Sequence, residues 1–452
     1  MSPGLTELRQ SEYEQLLGHA CHQSDFVHIG SVGTDGNRGD LSGFSAIASR
    51  HLNIKSEKKS LAFSSDKVAT DMATLLQNHQ NAQFGDSDAS FLSGGWMGFL
   101  CYEWGFQTET RFHGRSAPIP LPSLAAGFYL WTASHCRRTR RYMLWIHPDC
   151  PPETRNTLAQ WRKTPALDPI QPWRMSGKFL ATQAKDEFLA NVRSIKQYIQ
   201  AGDVYQANLS QEFQGYFEGD PWLAFKALTN KHPTPFSAFI RHEGASILSV
   251  SPERFIEIQN GKMFTSPIKG TRPRGRTLDE DFALANELEC SEKDRAENLM
   301  IVDLLRNDLS VNAATGSVKV DKLFSLESYQ NVHHLVSHIR ADLREGVSPI
   351  KALMDAFPGG SITGAPKIRS MEIINELEPH WRGPYCGSVF YWGLNGRLDS
   401  NIAIRTLLCE EDGTIRCWGG GGIVADSDPE SEYQETLTKV KPLMDFLESL
   451  QP

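Results

Sequence analysis

The heptapeptide Ser266-Pro267-Ile268-Lys269-Gly270-Thr271-Arg272 places one lysine between an apolar residue and a glycine, just after a run, 262–266, that reads as a strand. A strand end followed by glycine is a common place to present a side chain to a cleft. A lysine held partly out of water loses proton affinity, because desolvation penalises the ammonium. The neutral amine is a nucleophile and the ammonium is not. Taken alone, such a lysine is far more often a surface residue in a turn. Glu253 stands at the exit of a second expected strand, 246–250, inside Ser251-Pro252-Glu253-Arg254-Phe255. A hairpin would bring Glu253 and Lys269 close together.

Acidic residues form two further groups. Ser291 reads as a helix cap with Asp294 three positions on, and the helix carries Asp294 and Glu297 on one face. The last helix, after Asp428-Pro429, has a core face of Tyr433, Leu437, Val440, Met444 and Leu447. On another of its faces Glu432, Glu435 and Lys439 fall within about 60° of one another at about 100° per residue. Oxygen donors from two such helices suit Mg²⁺. The competing reading is a solvated face with an ordinary Glu435–Lys439 pair. The loop 357–367 is glycine-rich and runs into a helix with Pro366 at its first position, where an anion could bind. It lacks the spacing of a nucleotide-binding loop. Arg405 sits among apolar neighbours in an expected strand, 402–408, and so needs an anionic partner, internal or from a ligand. Gly419 to Gly422 present bare backbone amides.

The positioning elements follow from periodicity. Phe188, Val192, Ile195 and Ile199 have helical spacing, and Gly202 should end that helix. In 204–211 the polar residues Gln206, Asn208 and Ser210 share one face of a strand, turned either to solvent or to a polar pocket. Residues 1–150 alternate short strand-like runs with turns and suggest a scaffold. The proline-rich stretch 147–177 suggests a connection between two parts.

The chain has 452 residues, 40% hydrophobic and 22% charged, with a net charge of -8. That length implies two domains or one large duplicated body. The negative charge argues against nucleic-acid binding. The eight cysteines include no CxxC pair, so neither a zinc knuckle nor a disulfide framework is indicated. Residues 1–20 carry Glu7, Glu12 and Glu14 and no apolar core, so no signal peptide is expected. No run is long enough to span a bilayer. A cytoplasmic enzyme is the expectation.

With these pieces assembled, residues from about 180 to 445 closely resemble the chorismate-utilising enzymes. The resemblance runs through 203–210, 251–255, 294–308, 332–337, 359–367, 404–406 and 420–439, in the family's order. Before residue 150 it is loose, at 94–105. It implies an α+β fold with two large antiparallel β-sheets in a sandwich and helices outside. The chain would divide into an N-terminal region, 1–175, and a chorismate-binding catalytic region, 176–450, intertwined in one body. It further implies that Glu297 and Glu435 hold Mg²⁺, with Asp294 and Glu432 beside them, and that the metal grips the ring carboxylate of chorismate. Arg405, Tyr391 and the amides of Gly420 and Gly422 would hold the enolpyruvyl carboxylate. Gln206, Gly270, Thr271 and Lys439 would line the substrate site. Glu253 would protonate the departing C4 hydroxyl, and His334 matches a histidine near that chemistry.

Two positions separate the subfamilies. Anthranilate synthases usually carry alanine where Lys269 stands. Isochorismate and salicylate synthases carry a water-activating lysine where this chain has Gln206. Lysine at 269 with glutamine at 206 is the pattern of the aminodeoxychorismate synthases. They join ammonia to chorismate for 4-aminobenzoate and folate synthesis through a lysine adduct. The sequence contains no Gly-x-Cys-x-Gly elbow of a glutaminase, so the resemblance implies a separate glutamine amidotransferase subunit. Anthranilate synthase component I is the nearest alternative activity. A protein that binds chorismate or tryptophan without turnover is the alternative of another class. Residues 30–49 depart from the tryptophan-feedback motif of the anthranilate synthases.

Overall fold

The computed structural model describes residues 4–30, 40–55, 65–80, 91–107, 115–166, 171–329 and 332–450. Two antiparallel sheets dominate it. The first has 13 strands. From Leu5–Leu8 at one edge it runs through Arg141–Ile146, Trp131–Cys136, Leu41–Ser45 and Val27–Gly30 to Phe236–His242. It continues through Ala245–Ser251, Thr406–Cys409, Thr414–Ile423 and Gln206–Glu218 to Leu180–Ala181. The second has 10 strands. Its order is Ile268–Pro273, Val332–Asp342, Lys262–Thr265, Arg254–Gln259, Leu398–Asn401, Ser388–Gly393, Gly95–Leu100, Leu124–Tyr129 and Arg50–Ile54. Residues 1–175 and 176–450 thus each supply strands to both sheets.

Strand alternation explains how the sheets pack. Successive side chains point to opposite faces. Ile247 joins the core between the two sheets, with Met97, Phe255 and Phe390. Its neighbour Leu248 turns to the other face, with Trp222, Phe225 and Val440. Leu408 and Leu407 divide in the same way. The central strand Ala245–Ser251 is buried at every position, as expected of a strand covered on both faces. Helices Pro221–Lys231 and Pro429–Ser449 cover the outer face of the first sheet.

Local signals place most elements. Helix Lys185–Ala201 ends at Gly202, whose φ of 83° is the left-handed cap that glycine adopts without steric cost. Helix Glu292–Ser310 begins at Ser291, whose hydroxyl accepts the Asp294 amide at 3.2 Å. Three expectations need correction. The run 402–408 is not one strand. Leu398–Asn401 and Thr406–Cys409 belong to different sheets, and the chain crosses between them with Arg405 at φ 51°. A change of sheet needs a sharp turn that apolar periodicity does not reveal. Lys269 stands within a strand, Ile268–Pro273, and not in a turn after one. Pro366 is the cap before helix Lys367–Leu377, one place earlier than its expected first position.

Leu248 is fully buried at the centre of the larger sheet. Leu248→Ala should cost about 2–5 kcal/mol through lost transfer energy and a residual cavity. The midpoint of urea unfolding, compared with the parent chain, measures that loss.

Candidate active site

The strand Ile268–Pro273 carries a bulge. Ile268 faces Val336 and Thr271 faces His334, so three steps on one strand match two on its partner. Gly270 has φ 82° there, and a Cβ on it would lie 2.7 Å from Leu288 and 3.0 Å from Asp294. Bulges of this kind re-aim a side chain. Lys269, half-buried, lies where the charges of Glu253, Lys439, Glu297 and Glu435 act on it. Burial lowers its pKa; the Glu253 carboxylate opposes this, and Lys439 adds to it. Glu253 is only 8% exposed. Burial raises its pKa against the pull of Lys269 and of the Ser361 hydroxyl, which donates to its Oε1 at 3.3 Å. Desolvation therefore moves both groups toward their neutral forms, an amine that can attack beside an acid that can donate.

Further acids act on Lys269. A side chain at Gly421 would touch Glu432 Oε2 at 3.3 Å, Glu435 Oε1 at 3.5 Å and Lys439 Nζ at 3.7 Å, so these three groups converge over one backbone position. Lys439 Nζ donates to Glu435 at 2.7 Å and to the Gly420 carbonyl at 2.9 Å. Burial opposes ionisation of Glu435, yet Lys439 holds its pKa below the ordinary range. The pKa of Glu297 is raised by burial, and the like charges of Asp294 and Glu435 add to the shift. Asp294 accepts from Arg272 at 3.2 Å. Glu432 accepts from Ser427 at 2.6 Å, and burial raises its pKa. Among the described residues no three acidic, histidine or cysteine groups form a ready-made metal cage. The donors nevertheless fit Mg²⁺, which keeps waters and takes one or two carboxylates plus ligand oxygens. Of these acids Glu297 is the most loosely engaged, with Lys293 3.9 Å away, while Glu435, Glu432 and Asp294 each accept a hydrogen bond.

Two polar groups lack protein partners. Gln206 is 2% exposed, and among the described residues its Nε2 has no acceptor. A Cβ on Gly422 would come within 2.8 Å of that nitrogen. Arg405 keeps exposed surface, the protein packed around its guanidinium lowers its pKa by desolvation, and no ion pair engages it among the described residues. A guanidinium in that position suits a ligand carboxylate. Asn208 and Ser210 pair across the ladder with Gly422 and Gly420, which places the glycine row beside Gln206. Thr271 Oγ1 and His334 Nδ1 are 2.8 Å apart. Helix Lys367–Leu377 does not present its first lysine to an anion: Lys367 pairs with Asp308 at 2.6 Å and donates to the Ala356 carbonyl at 3.0 Å.

Tyr391 is the residue that the structure moves. Its hydroxyl accepts the Ser93 amide at 2.8 Å. It lines a separate cavity of about 290 Å³ with Ile29, Asp40, Phe236, Arg254 and Asp399. Neither Lys269 nor Glu253 lines that cavity. The tyrosine that does reach the glycine row is Tyr385, whose hydroxyl would lie 2.7 Å from a Cβ on Gly420 and whose ring stacks on Trp418 at 6.0 Å. Sequence reasoning missed Tyr385, because a tyrosine in a turn before Cys386 carries no pattern. It also missed Ser361, which lay in view within the glycine-rich loop. Gly30, Asp40 and Leu41 line the separate cavity, while residues 31–39 of the region compared with the feedback motif lie outside the described residues.

Residues 38–445 match the chorismate binding enzyme family. Aminodeoxychorismate synthase component 1 of Salmonella typhimurium is 43% identical over 364 residues, covering 80% of this chain and 79% of that protein. Anthranilate synthase component 1 of Aquifex aeolicus is 44% identical over 264 residues, covering 58% of this chain and 53% of that one. The crystal structure of anthranilate synthase component I from Streptococcus pneumoniae superposes with a TM-score of 0.77 at 26% identity, covering 91% and 93% of the two chains.

Lys269 should be acylated ahead of exposed lysines by limiting acetic anhydride at pH 7, read by peptide mass mapping. Glu253→Gln removes the carboxylate that raises the Lys269 pKa. It should therefore increase Lys269 labelling at that pH; decreased labelling would contradict the geometry.

Proposed function

This chain belongs to the chorismate binding enzyme family, and from that premise we propose that it is the chorismate-aminating component of an aminodeoxychorismate synthase. The observation that carries this reading is a lysine and a carboxyl desolvated together at Lys269 and Glu253. The longer similarity to aminodeoxychorismate synthase component 1, over 80% of this chain against 58%, supports it over the anthranilate synthase reading. Neutral Lys269 attacks C2 of chorismate. The ring double bond shifts, and the C4 hydroxyl leaves as water with the proton of Glu253. Ammonia then adds at C4 and expels the lysine, giving 4-amino-4-deoxychorismate with the enolpyruvyl group intact. This is nucleophilic catalysis with general acid assistance.

The remaining groups bind. Arg405 pairs with the enolpyruvyl carboxylate, supported by the Gly420 and Gly422 amides. Gln206 donates its unpaired Nε2 to a substrate oxygen. Glutamine at that position cannot activate water as a lysine would, which keeps hydrolytic attack at C2 out of competition. Thr271 and His334 flank the lysine strand. Lys439 neutralises Glu435 until the substrate is seated. Glu297 and Glu435, with Asp294 and Glu432, would hold Mg²⁺, which would supply positive charge to the ring carboxylate. The relatives' designation as a first component supports a second, ammonia-supplying glutamine amidotransferase subunit. No helix among the described residues is long and apolar enough to cross a membrane, and we assign the enzyme to the cytoplasm.

Chorismate, Mg²⁺ and ammonium with the purified chain should give aminodeoxychorismate without pyruvate by mass spectrometry and a coupled pyruvate assay. Anthranilate with pyruvate would overturn the assignment. Lys269→Ala should lose the covalent adduct in intact-protein mass spectra.

At constant free ammonia, kcat/KM should rise with pH as Lys269 deprotonates and fall as Glu253 deprotonates. The ascending limb should lie below the ordinary lysine range and the descending limb above the ordinary carboxylate range, following the two shifts. Glu253→Gln should remove the descending limb and lower kcat by about 10²–10⁴.

A further inference from the structure

Arg382 is a fully buried arginine outside the reaction described above. Its Nε and Nη2 donate to the two oxygens of Glu378, also 2% exposed, at 2.8 and 2.7 Å. Its guanidinium also donates to the Ile362 carbonyl at 3.1 Å, the Asn208 carbonyl at 3.1 Å and Asn208 Oδ1 at 3.2 Å, and its backbone amide donates to Glu103 Oε1 at 3.2 Å. Burial opposes ionisation of Glu378, but Arg382, His380 and Ser210 hold its pKa below the ordinary range. A buried ion pair is seldom worth more to stability than an apolar pair of similar volume. Its placement must be explained by what it holds.

It holds a gap in a sheet. On the side away from Thr414–Ile423, strand Gln206–Glu218 pairs with Gly364–Ala365 at Gln206 and Ala207, and with Leu180–Ala181 at Phe213 and Gln214. Between these, among the described residues, no strand lies alongside. The Thr363 carbonyl takes the Asn208 amide at 2.7 Å. Glu378 Oε1 takes the Ser210 amide and hydroxyl, both at 2.7 Å. Arg382 takes the Asn208 carbonyl. The ion pair therefore replaces the missing strand where Asn208 and Ser210 stand opposite Gly422 and Gly420. The same guanidinium fixes Ile362, the residue after Ser361, whose hydroxyl meets Glu253. It lies 5.9 Å from the ring of Tyr385. The glycine row, the acid and Tyr385 come from distant parts of the sequence and share this one fork.

We propose that Arg382, locked by Glu378, is a positioning residue that holds the glycine row in register for substrate and holds Ser361 against Glu253. The assignment rests on the reaction proposed above. A planar fork is required, because one ammonium cannot satisfy Glu378, Asn208 and Ile362 in the same geometry.

The test is Arg382→Lys, with Ser361→Ala and the double variant. Arg382→Lys should fold, with a modest fall in Tm. The KM for chorismate should rise at least tenfold as the glycine row loosens. Glu253 is faced by Lys269, Lys439, Ser361 and, beyond Tyr385, Cys386. Losing the Ser361 donor removes a group that favours its ionised form, so the descending limb of kcat should move to higher pH. Ser361→Ala should move that limb the same way and leave KM closer to the parent value. The double variant should show the limb shift of either single variant and not their sum. A merely structural role would lower Tm and active fraction with KM and limb position unchanged, and that result overturns the proposal. If the parent chain fails to turn over chorismate, the proposed function fails by itself. The positioning role is then read from Lys269 acylation. That labelling should rise in Arg382→Lys at mildly alkaline pH, because a Glu253 that stays protonated no longer raises the Lys269 pKa; unchanged labelling overturns the role.

Discussion

Everything at this site depends on one constraint: an amine and a carboxyl share a space too poor in water to stabilise both charges. In water the pair would exist as ammonium and carboxylate. Between the sheets, desolvation outweighs their mutual attraction, and each moves toward its neutral form. The arrangement is costly, and it survives because the surrounding structure leaves neither group an alternative. The bulge at Gly270 fixes the direction of Lys269. Ser361 and the Ser251 hydroxyl fix Glu253, the latter through the Glu253 amide at 3.2 Å.

Around that pair the charges are arranged for a guest. Glu297, Glu432 and Glu435 supply negative charge in excess of what Lys293 and Lys439 balance, which suits a divalent cation. Among the described residues, Gln206 Nε2 has no acceptor and Arg405 has no ion-pair partner. Unengaged donors of this kind are what the proposed carboxylate-bearing substrate would use. The neighbouring cavity differs in this respect. Its charged groups already pair with one another: Arg254 and Arg397 with Glu257 and Asp399, and Arg138 with Asp40.

The two sheets make this possible by sharing strands between the halves of the chain. A sheet face offers only every second residue, and a single sheet would spread these groups along one plane. The crossing from Asn401 to Thr406 carries Arg405 from one sheet to the other. The bulged edge of the smaller sheet brings Lys269 toward helix Glu292–Ser310, and the end helix Pro429–Ser449 lays its acids over the glycine strand. Where the larger sheet lacks a strand, a buried ion pair takes the strand's place, and rigidity is kept beside the reacting groups.

Residue type and short-range spacing made the candidate groups and many of the local elements legible. Lys269, Glu253 and the two acidic helix faces were legible because residue type and short-range spacing set reactivity and amphipathicity. Ser291 and Gly202 marked helix ends because capping is a local hydrogen-bonding problem. The sandwich, and the reading of Lys269 with Gln206, came from resemblance to a family and not from periodicity. Only the tertiary structure decided which face of a strand met the site. Tyr391 and Tyr385 are chemically alike, and alternation and a turn send one to the separate cavity and the other to the glycine row. Arg405 read as a strand residue, because apolar neighbours look the same in a strand and in a crossing between sheets. The roles of Ser361, Glu378 and Arg382 rest on contacts across 108, 168 and 174 residues. Such contacts leave no periodic trace, because the free energy that selects them is gained only when the sheets close and water leaves.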